Sequence, residues 1–244
     1  MKFLDATLPT PAENLACDEA LLDLCDEEGE EILRLWESRQ HFVVVGYGNH
    51  IETEVNVEEC QHRGVPILRR CSGGGTVVQG PGCLNYAVTS RVPSAGPLTT
   101  VTHANEFVME RNRAAFERLL GTKVSIQGYS DLAFRDGGSW LKFSGNAQRR
   151  RRGALIFHGT ILHAFQLKLM EELLRFPSAQ PGYRAGRRHA EFVANISARR
   201  EAMGAALRAA WDAREPFVAL PSQRIAQLRR EHYENDDWTW RRAH

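Results

Sequence analysis

The run Gly73-Gly74-Gly75 lies between two short apolar segments with strand character, Val65–Leu68 and Thr76–Val78. Consecutive glycines stabilise neither a helix nor a strand, so this stretch is a loop joining extended elements. Its backbone N–H groups can approach an anion with no Cβ in the way, and Arg69, Arg70 and Ser72 add charged and neutral donors. A loop of this kind can cradle a phosphate. Taken alone, it reads equally well as a flexible turn beside a solvated basic pair. It is not a Walker A loop, since the G-K-[ST] ending is missing, and it is not the G-x-G-x-x-G dinucleotide fingerprint.

The surrounding pattern alternates helices and strands. Asn14–Asp26 carries apolar residues at helical spacing with acidic residues between them, as in an amphipathic helix. His41–Gly46 is a β-branched strand, and Asn56–Arg63 is a short helix capped by Asn56 and stopped at Gly64. Leu84–Thr89 continues the strands, the segment Val92–Pro97 is a loop, and Thr102–Leu120 is a long helix ended by Gly121. Further strands are expected at Val124–Ile126, Asp131–Phe134, Trp140–Phe143 and Ala154–Phe165, with a hairpin turn at Gly137-Gly138. The last third is Arg-rich and mainly helical apart from a loop at Pro177–Gly186.

The 244 residues are 43% hydrophobic, enough to bury one full core, so we expect a single domain over 1–244. Lys and Arg total 31 against 30 for Asp and Glu, which gives no global pull toward nucleic acid or anionic lipid. No segment approaches a membrane span and the N-terminus carries no signal-peptide pattern, so a soluble cytoplasmic protein is expected. The five cysteines are odd in number and form no C-x-x-C pair, so reduced thiols are expected rather than disulfides or zinc. His158 and His163 are five apart on an expected strand and face opposite sides, which argues against a shared metal site.

A second signal is Lys142-Phe143-Ser144-Gly145-Asn146-Ala147, followed after a basic stretch by His158-Gly159-Thr160. A lysine among Trp140, Leu141 and Phe143 either snorkels to solvent or serves a buried anion, and in isolation the surface reading is the simpler. Considered with the glycine loop, the balance shifts.

RRCSGGGTVVQGPGCLNYAV followed by KFSGNAQRRRRGALIFHGTIL resembles the paired signature of the lipoate-protein ligases and related octanoyltransferases. NLACDEALL, GYGNH, Ser130-Asp131-Leu132 and HYENDDWTW are similar to further parts of that family's pattern, so the resemblance spans nearly the whole chain. It implies an α+β fold, a mixed β-sheet core flanked by helices, shared with biotin protein ligases. It implies ATP with Mg²⁺, an acyl-adenylate of lipoate or octanoate, and transfer to a lysine of a lipoyl domain, in a 2-oxoacid dehydrogenase E2 subunit or the glycine cleavage H protein. Lys142 would be the catalytic ammonium, touching the acyl carbonyl and the phosphate. Arg70, Ser72, Gly73, Gly74 and Gly75 would line the adenylate, with Asp131 a nearby polar contact. Val77, Asn85, Ser144, Gly145, His158, Gly159 and Thr160 complete the expected substrate and nucleotide site. Val44, Val77, Leu84, Tyr86 and His158 are expected to line an apolar acyl tunnel.

Three departures from the family pattern bear on mechanism. Many ligases have His-Asp where this chain has Gln79-Gly80. The chain ends where longer ligases begin a C-terminal accessory domain, which leaves open a separate accessory subunit or a different reaction. Octanoyltransferases of the superfamily hold the acyl group on a cysteine, yet the corresponding segments here, GYSDLAF and LLRFPSAQP, contain none. Cys71 and Cys83 near the glycine loop read as packed thiols. The missing thiol favours ATP-dependent ligation over thioester exchange, while the length pulls toward transfer from a preformed donor. A non-catalytic lipoate- or acceptor-binding protein is the alternative of another class, disfavoured by Lys142, Ser72 and the glycines. Arg149–Arg152 are expected in a solvated turn, and Tyr183, Arg184, Arg187, Arg188 and His189 form a second basic cluster whose flanking Gly182 and Gly186 would permit a lid.

Overall fold

The structure is a computed structural model that describes residues 1–177 and 179–241. Its strands are β1 (Lys2–Asp5), β2 (Ile32–Trp36), β3 (Phe42–Val45), β4 (Ile67–Arg69), β5 (Val77–Gln79), β6 (Cys83–Arg91), β7 (Val124–Gln127), β8 (Asp131–Asp136), β9 (Ser139–Arg150), β10 (Ala154–Leu162) and β11 (Glu215–Pro216). Eight of them form one sheet in the order β11-β1-β2-β6-β10-β9-β8-β7, and β4-β3-β5 form a second. The β1 pairings with β2 and β11, and that of β3 with β4, are parallel, while the other pairings are antiparallel. This is the mixed, helix-flanked α+β architecture expected from the sequence.

β6 is buried from Cys83 to Ser90 because helices cover both faces of the large sheet. On one face Leu84, Tyr86, Val88, Leu155 and Phe157 pack with Val108, Met109 and Phe116 of the helix Val101–Leu120. On the other, Ala87, Ala154 and Ile156 meet Leu22 and Cys25 of helix α1 (Pro11–Glu28). Leu84 therefore faces the core rather than the acyl tunnel in which the sequence placed it.

Helix α1 begins earlier than its apolar pattern suggests, because Thr10 and Glu13 form a capping box around Pro11. It ends at Gly29, whose φ of 77° suits a left-handed cap. The acidic residues in its middle, Asp18, Glu19 and Asp23, do not face solvent as in the expected amphipathic helix, while Asp26, Glu27 and Glu28 at its end do. Asp18 is buried against the Arg34 guanidinium at 2.6 Å, Glu19 accepts from Tyr233 Oη at 2.7 Å, and Asp23 pairs with Arg151 and Arg224. Arg34 lies in β2, which together with β1 is absent from the sequence reading. A short strand interrupted by arginine gives little periodic signal.

Asn56 caps its helix through Glu59 N–H, and Gly137 and Gly138, at φ 53° and 91°, turn the β8–β9 hairpin as expected. β9 runs on to Arg150, so the four arginines are not one solvated turn. Arg149 is half-buried over the Tyr47 ring and Arg151 is tied to Glu19 and Asp23, leaving Arg152 exposed. β10 stops at Leu162, short of the expected Phe165, and His163 pairs with Glu37 instead. Ser178, in the loop expected at Pro177–Gly186, lies outside the described residues. Among the described residues no helix is long and apolar enough to cross a membrane.

Candidate active site

A cavity of about 810 Å³ opens between the two sheets and the segment 179–193. Among its lining residues are Arg70, Gly73, Gly74, Gly75, Val77, Asn85, Asp131, Lys142, Ser144, Gly145, His158, Gly159 and Thr160, so the two sequence motifs meet in one place. Register accounts for much of this. Asp131 pairs with Gly145 across β8–β9, Gly145 with Thr160 across β9–β10, and Thr160 with Asn85 across β10–β6, which sets these residues in one row across the sheet.

Arg70 is the keystone of the glycine loop. It is 8% exposed, and its Nη2 donates to the carbonyls of Gly73 and Gly75 at 2.7 Å each while its Nε donates to Gly73 O and Ser72 Oγ at 3.1 Å. Burial pulls its pKa down to about 10, so it remains a cation at neutral pH. The guanidinium gathers the loop's carbonyls, while the N–H groups of Gly73, Gly74 and Gly75 find no protein acceptor among the described residues. An anion-binding loop needs this arrangement of turned-in acceptors and unengaged donors. No side chain or backbone stands within 4 Å of where a Cβ on Gly73 or Gly75 would sit. The loop thus fits a phosphate group, with Arg70 acting through the backbone. The sequence places Arg70 along the adenylate, and Arg70 does line the cavity; its bonds to the loop carbonyls are invisible in the sequence.

Ser72 is fully buried and does not line the cavity, but its Oγ lies 2.6 Å from His158 Nε2, and the ring of His158 does line it. Burial and the neighbouring Arg70 pull the His158 pKa down to about 3, so the ring is neutral. The unfolded chain binds this proton near the ordinary value of 6.5 and the folded chain does not. Stability from His158 is therefore complete above pH 6.5 and lost as pH falls toward 3, by an amount on the order of a few kcal/mol. His41 and His189 are also lowered by burial and act in the same direction. The melting temperature is expected to drop between pH 6.5 and pH 5, and less steeply in His158→Gln. A flat profile over that interval would contradict the neutral ring.

Lys142 Nζ pairs with Asp131 Oδ1 at 2.7 Å, and Tyr183 Oη donates to Asp131 Oδ2 at 2.8 Å. A Cβ on Gly145 would stand 2.8 Å from Lys142 Nζ, so glycine there clears the ammonium's position. A Cβ on Gly159 would lie 1.8 Å from Asn146 Oδ1. That oxygen accepts from Tyr86 Oη at 2.6 Å, which in turn accepts from Asn112, itself bonded to Trp211. From sequence, Tyr183 is placed only in the second basic cluster and Asn146 only inside the second motif, and neither is among the expected site residues. Gln79 Nε2 donates to Thr160 Oγ1 at 2.9 Å, and Thr160 Oγ1 donates to Asn85 Oδ1 at 2.6 Å. The Gln79-Gly80 departure thus ties the two sheets together beneath the cavity.

Leu15, Trp36, Val44 and Val77 belong to one apolar cluster and also line the cavity, giving it a hydrophobic end suited to an aliphatic chain. No cysteine lines it among the described residues. All five thiols are buried, with burial pushing Cys17 and Cys60 up to about 11, Cys25 and Cys71 up to about 12, and Cys83 further. Thiolates are the reactive form, so these are inert positions. Among the described residues no group of three or more His, Cys, Asp or Glu side chains could hold a metal ion.

Comparisons with known proteins agree with this geometry. The lipoyl protein ligase A/B catalytic domain family matches residues 10–205. A protein of Aeropyrum pernix named "Putative lipoate-protein ligase A" is 35% identical over 160 residues, which is 66% of this chain and 56% of that relative. Octanoyltransferase LipM of Geobacillus kaustophilus is 26% identical over 99% of this chain and 98% of its own length. In fold, the chain superposes on the bi-partite lipoate protein ligase of Thermoplasma acidophilum with a TM-score of 0.84 at 22% identity, covering 98% of this chain and 95% of that one. A lipoate-protein ligase A bound with ATP gives 0.79 at 22% identity, covering 98% of this chain and 99% of that one. With its two motifs meeting at one cavity, the chain belongs to the lipoyl protein ligase A/B catalytic domain family.

Proposed function

We propose that this protein is an ATP-dependent lipoate-protein ligase, which joins lipoate or octanoate to a lysine of a lipoyl-domain acceptor. The observation that carries the proposal is the shared cavity, where an anion loop and a fixed ammonium meet an apolar end and no thiol lines the walls among the described residues. The apolar end takes the aliphatic chain and directs its carboxylate toward Lys142. The free N–H groups of Gly73–Gly75 take nucleotide phosphate, which brings Mg²⁺ as its own counter-ion. Lys142, oriented by Asp131, stabilises the negative charge that develops on acyl and phosphate oxygens in both half-reactions. Overall, the acyl carboxylate displaces pyrophosphate from ATP, and the acceptor amine then displaces AMP to form the amide.

Acceptors on this reading are lipoyl domains of E2 subunits or the glycine cleavage H protein. A separate accessory subunit is part of the proposal, since the neighbour from Thermoplasma acidophilum is described as bi-partite. A second reading, transfer from a preformed octanoyl donor without ATP, is favoured by the near full-length match to a protein named octanoyltransferase LipM. The buried cysteines weigh against its thioester form.

Intact-mass measurement separates the two readings. Purified protein given ATP, Mg²⁺, lipoate and an apo lipoyl domain is expected to add one lipoyl group to the domain, with no addition when ATP is withheld. Prior treatment with iodoacetamide under native conditions is expected to change the rate less than twofold. Efficient transfer from octanoyl-carrier protein without ATP, abolished by the alkylation, would replace the ligase reading with the second one.

A further inference from the structure

The segment 181–194 closes one wall of the cavity and is strapped to the Lys142 strand. Ala194 N–H donates to Lys142 O at 2.9 Å, and Arg187 Nη2 donates to Trp140 O at 3.0 Å. Arg184 projects from this wall. It is 5% exposed, lines the cavity, and has its guanidinium 5.0 Å from the ring centroids of both Phe176 and Phe192. Its Nε donates to Arg187 O at 2.9 Å, whereas its buried Nη2 has no hydrogen-bond partner. No carboxylate among the described residues forms an ion pair with it. The nearby acids are engaged elsewhere, Asp131 by Lys142 and Tyr183, and Glu171 by Arg188 and the Ala190 N–H.

A buried cation with an open donor and no counter-charge is costly, and a fold does not retain one for packing when an apolar side chain would fill the same sandwich. Arg184 is also held still, because two rings and the Arg187 carbonyl fix the plane of its guanidinium. A planar, delocalised cation of this kind is suited to phosphate oxygens. The carboxyl of an acyl substrate is directed to Lys142, so the anion at Arg184 is a second one.

We propose that Arg184 is an anion anchor of this cavity and takes a phosphate group of the acyl donor, supplied by a nucleotide or by the phosphopantetheine arm of an acyl carrier. The proposal rests on the reading of the cavity as an acyl-transfer site, and it holds for either donor. Arg184→Met retains the stem between the two rings and removes the charge.

Calorimetric titration of the full-length protein and this variant with ATP and Mg²⁺, with free 4′-phosphopantetheine and with lipoate tests it. We expect the variant to melt at or above the wild-type temperature, to bind lipoate within twofold of wild type, and to lose about tenfold or more in affinity for the phosphate-bearing probe. If the wild-type protein binds phosphopantetheine and not ATP, and Arg184→Met loses that binding, the anchor stands and the ligase reading falls. If the variant binds both phosphate probes as wild type does, or loses lipoate and thermal stability alongside them, Arg184 is a packing residue and the proposal is overturned. Failure of the wild-type protein to bind either phosphate probe overturns it as well.

Discussion

Lys142→Ala is expected to lower the rate of acyl transfer to an apo lipoyl domain by about 10²- to 10³-fold, the scale set by removing one preorganised donor from a developing oxyanion. The side chain rises from β9 beside Gly145, where any Cβ would crowd Nζ at 2.8 Å. Asp131 fixes its direction from β8, and Tyr183 holds the other carboxylate oxygen. Truncation leaves Asp131 with Tyr183 alone, so part of any loss could come from an unbalanced carboxylate rather than from missing catalysis. The double variant Lys142→Ala with Asp131→Asn separates these effects. Its melting temperature is expected to return toward wild type while the rate stays low. Rate recovery in the double variant, or a single variant within about threefold of wild type, would show that Lys142 acts only as a structural partner of Asp131.

The sequence revealed the site more fully than it revealed the reasons for the site's shape. Both motifs are contiguous, so their residue types and order are plain in the chain, and strand register then brings Asp131, Gly145, Thr160 and Asn85 into one row. What stayed hidden is long-range pairing. The acids of helix α1 have the spacing of a solvated face, yet Asp18, Glu19 and Asp23 are buried because Arg34, Tyr233, Arg151 and Arg224 reach them from distant elements. Arg149–Arg152 look like a charged turn for the same reason, since nothing local announces Tyr47, Glu19 or Asp23 as partners. Leu84 and Asn85 are adjacent in sequence and fall on opposite faces of β6, so composition alone could not tell the core residue from the cavity residue. Arg184 shows the converse case. A run of basic residues suggested a basic cluster on a lid, and packing isolates one of them as a buried cation whose Nη2 has no hydrogen-bond partner among the described residues.

The glycine loop supports the other large effect, Gly46→Ala, which is expected to reduce acyl transfer by at least about 10²-fold. Gly46 directly follows β3 and opens the turn closed by the Asn49 N–H to Gly46 O bond, and it is not itself part of the glycine loop. A Cβ there would stand 2.0 Å from the carbonyl oxygen of Gly74 and 3.3 Å from Arg70 Nη2. The first contact is with backbone, so the side chain cannot be accommodated by a rotamer change, and the loop itself must move. Movement of Gly74 pulls the carbonyls of Gly73 and Gly75 away from Arg70, which then becomes a buried guanidinium with broken bonds. The anion-facing N–H groups shift with it. Gly48→Ala, two residues on, is the matched control, because nothing lies within 4 Å of its Cβ position. That variant is expected to transfer acyl groups within about twofold of wild type. A nucleotide titration accompanying both rate measurements localises the damage. The Gly46→Ala protein should bind lipoate at the apolar end formed by Leu15, Trp36, Val44 and Val77 while losing ATP. Equal loss of both ligands would mean that the substitution disrupts the fold at large, and that the cavity is not divided into an acyl end and a phosphate end.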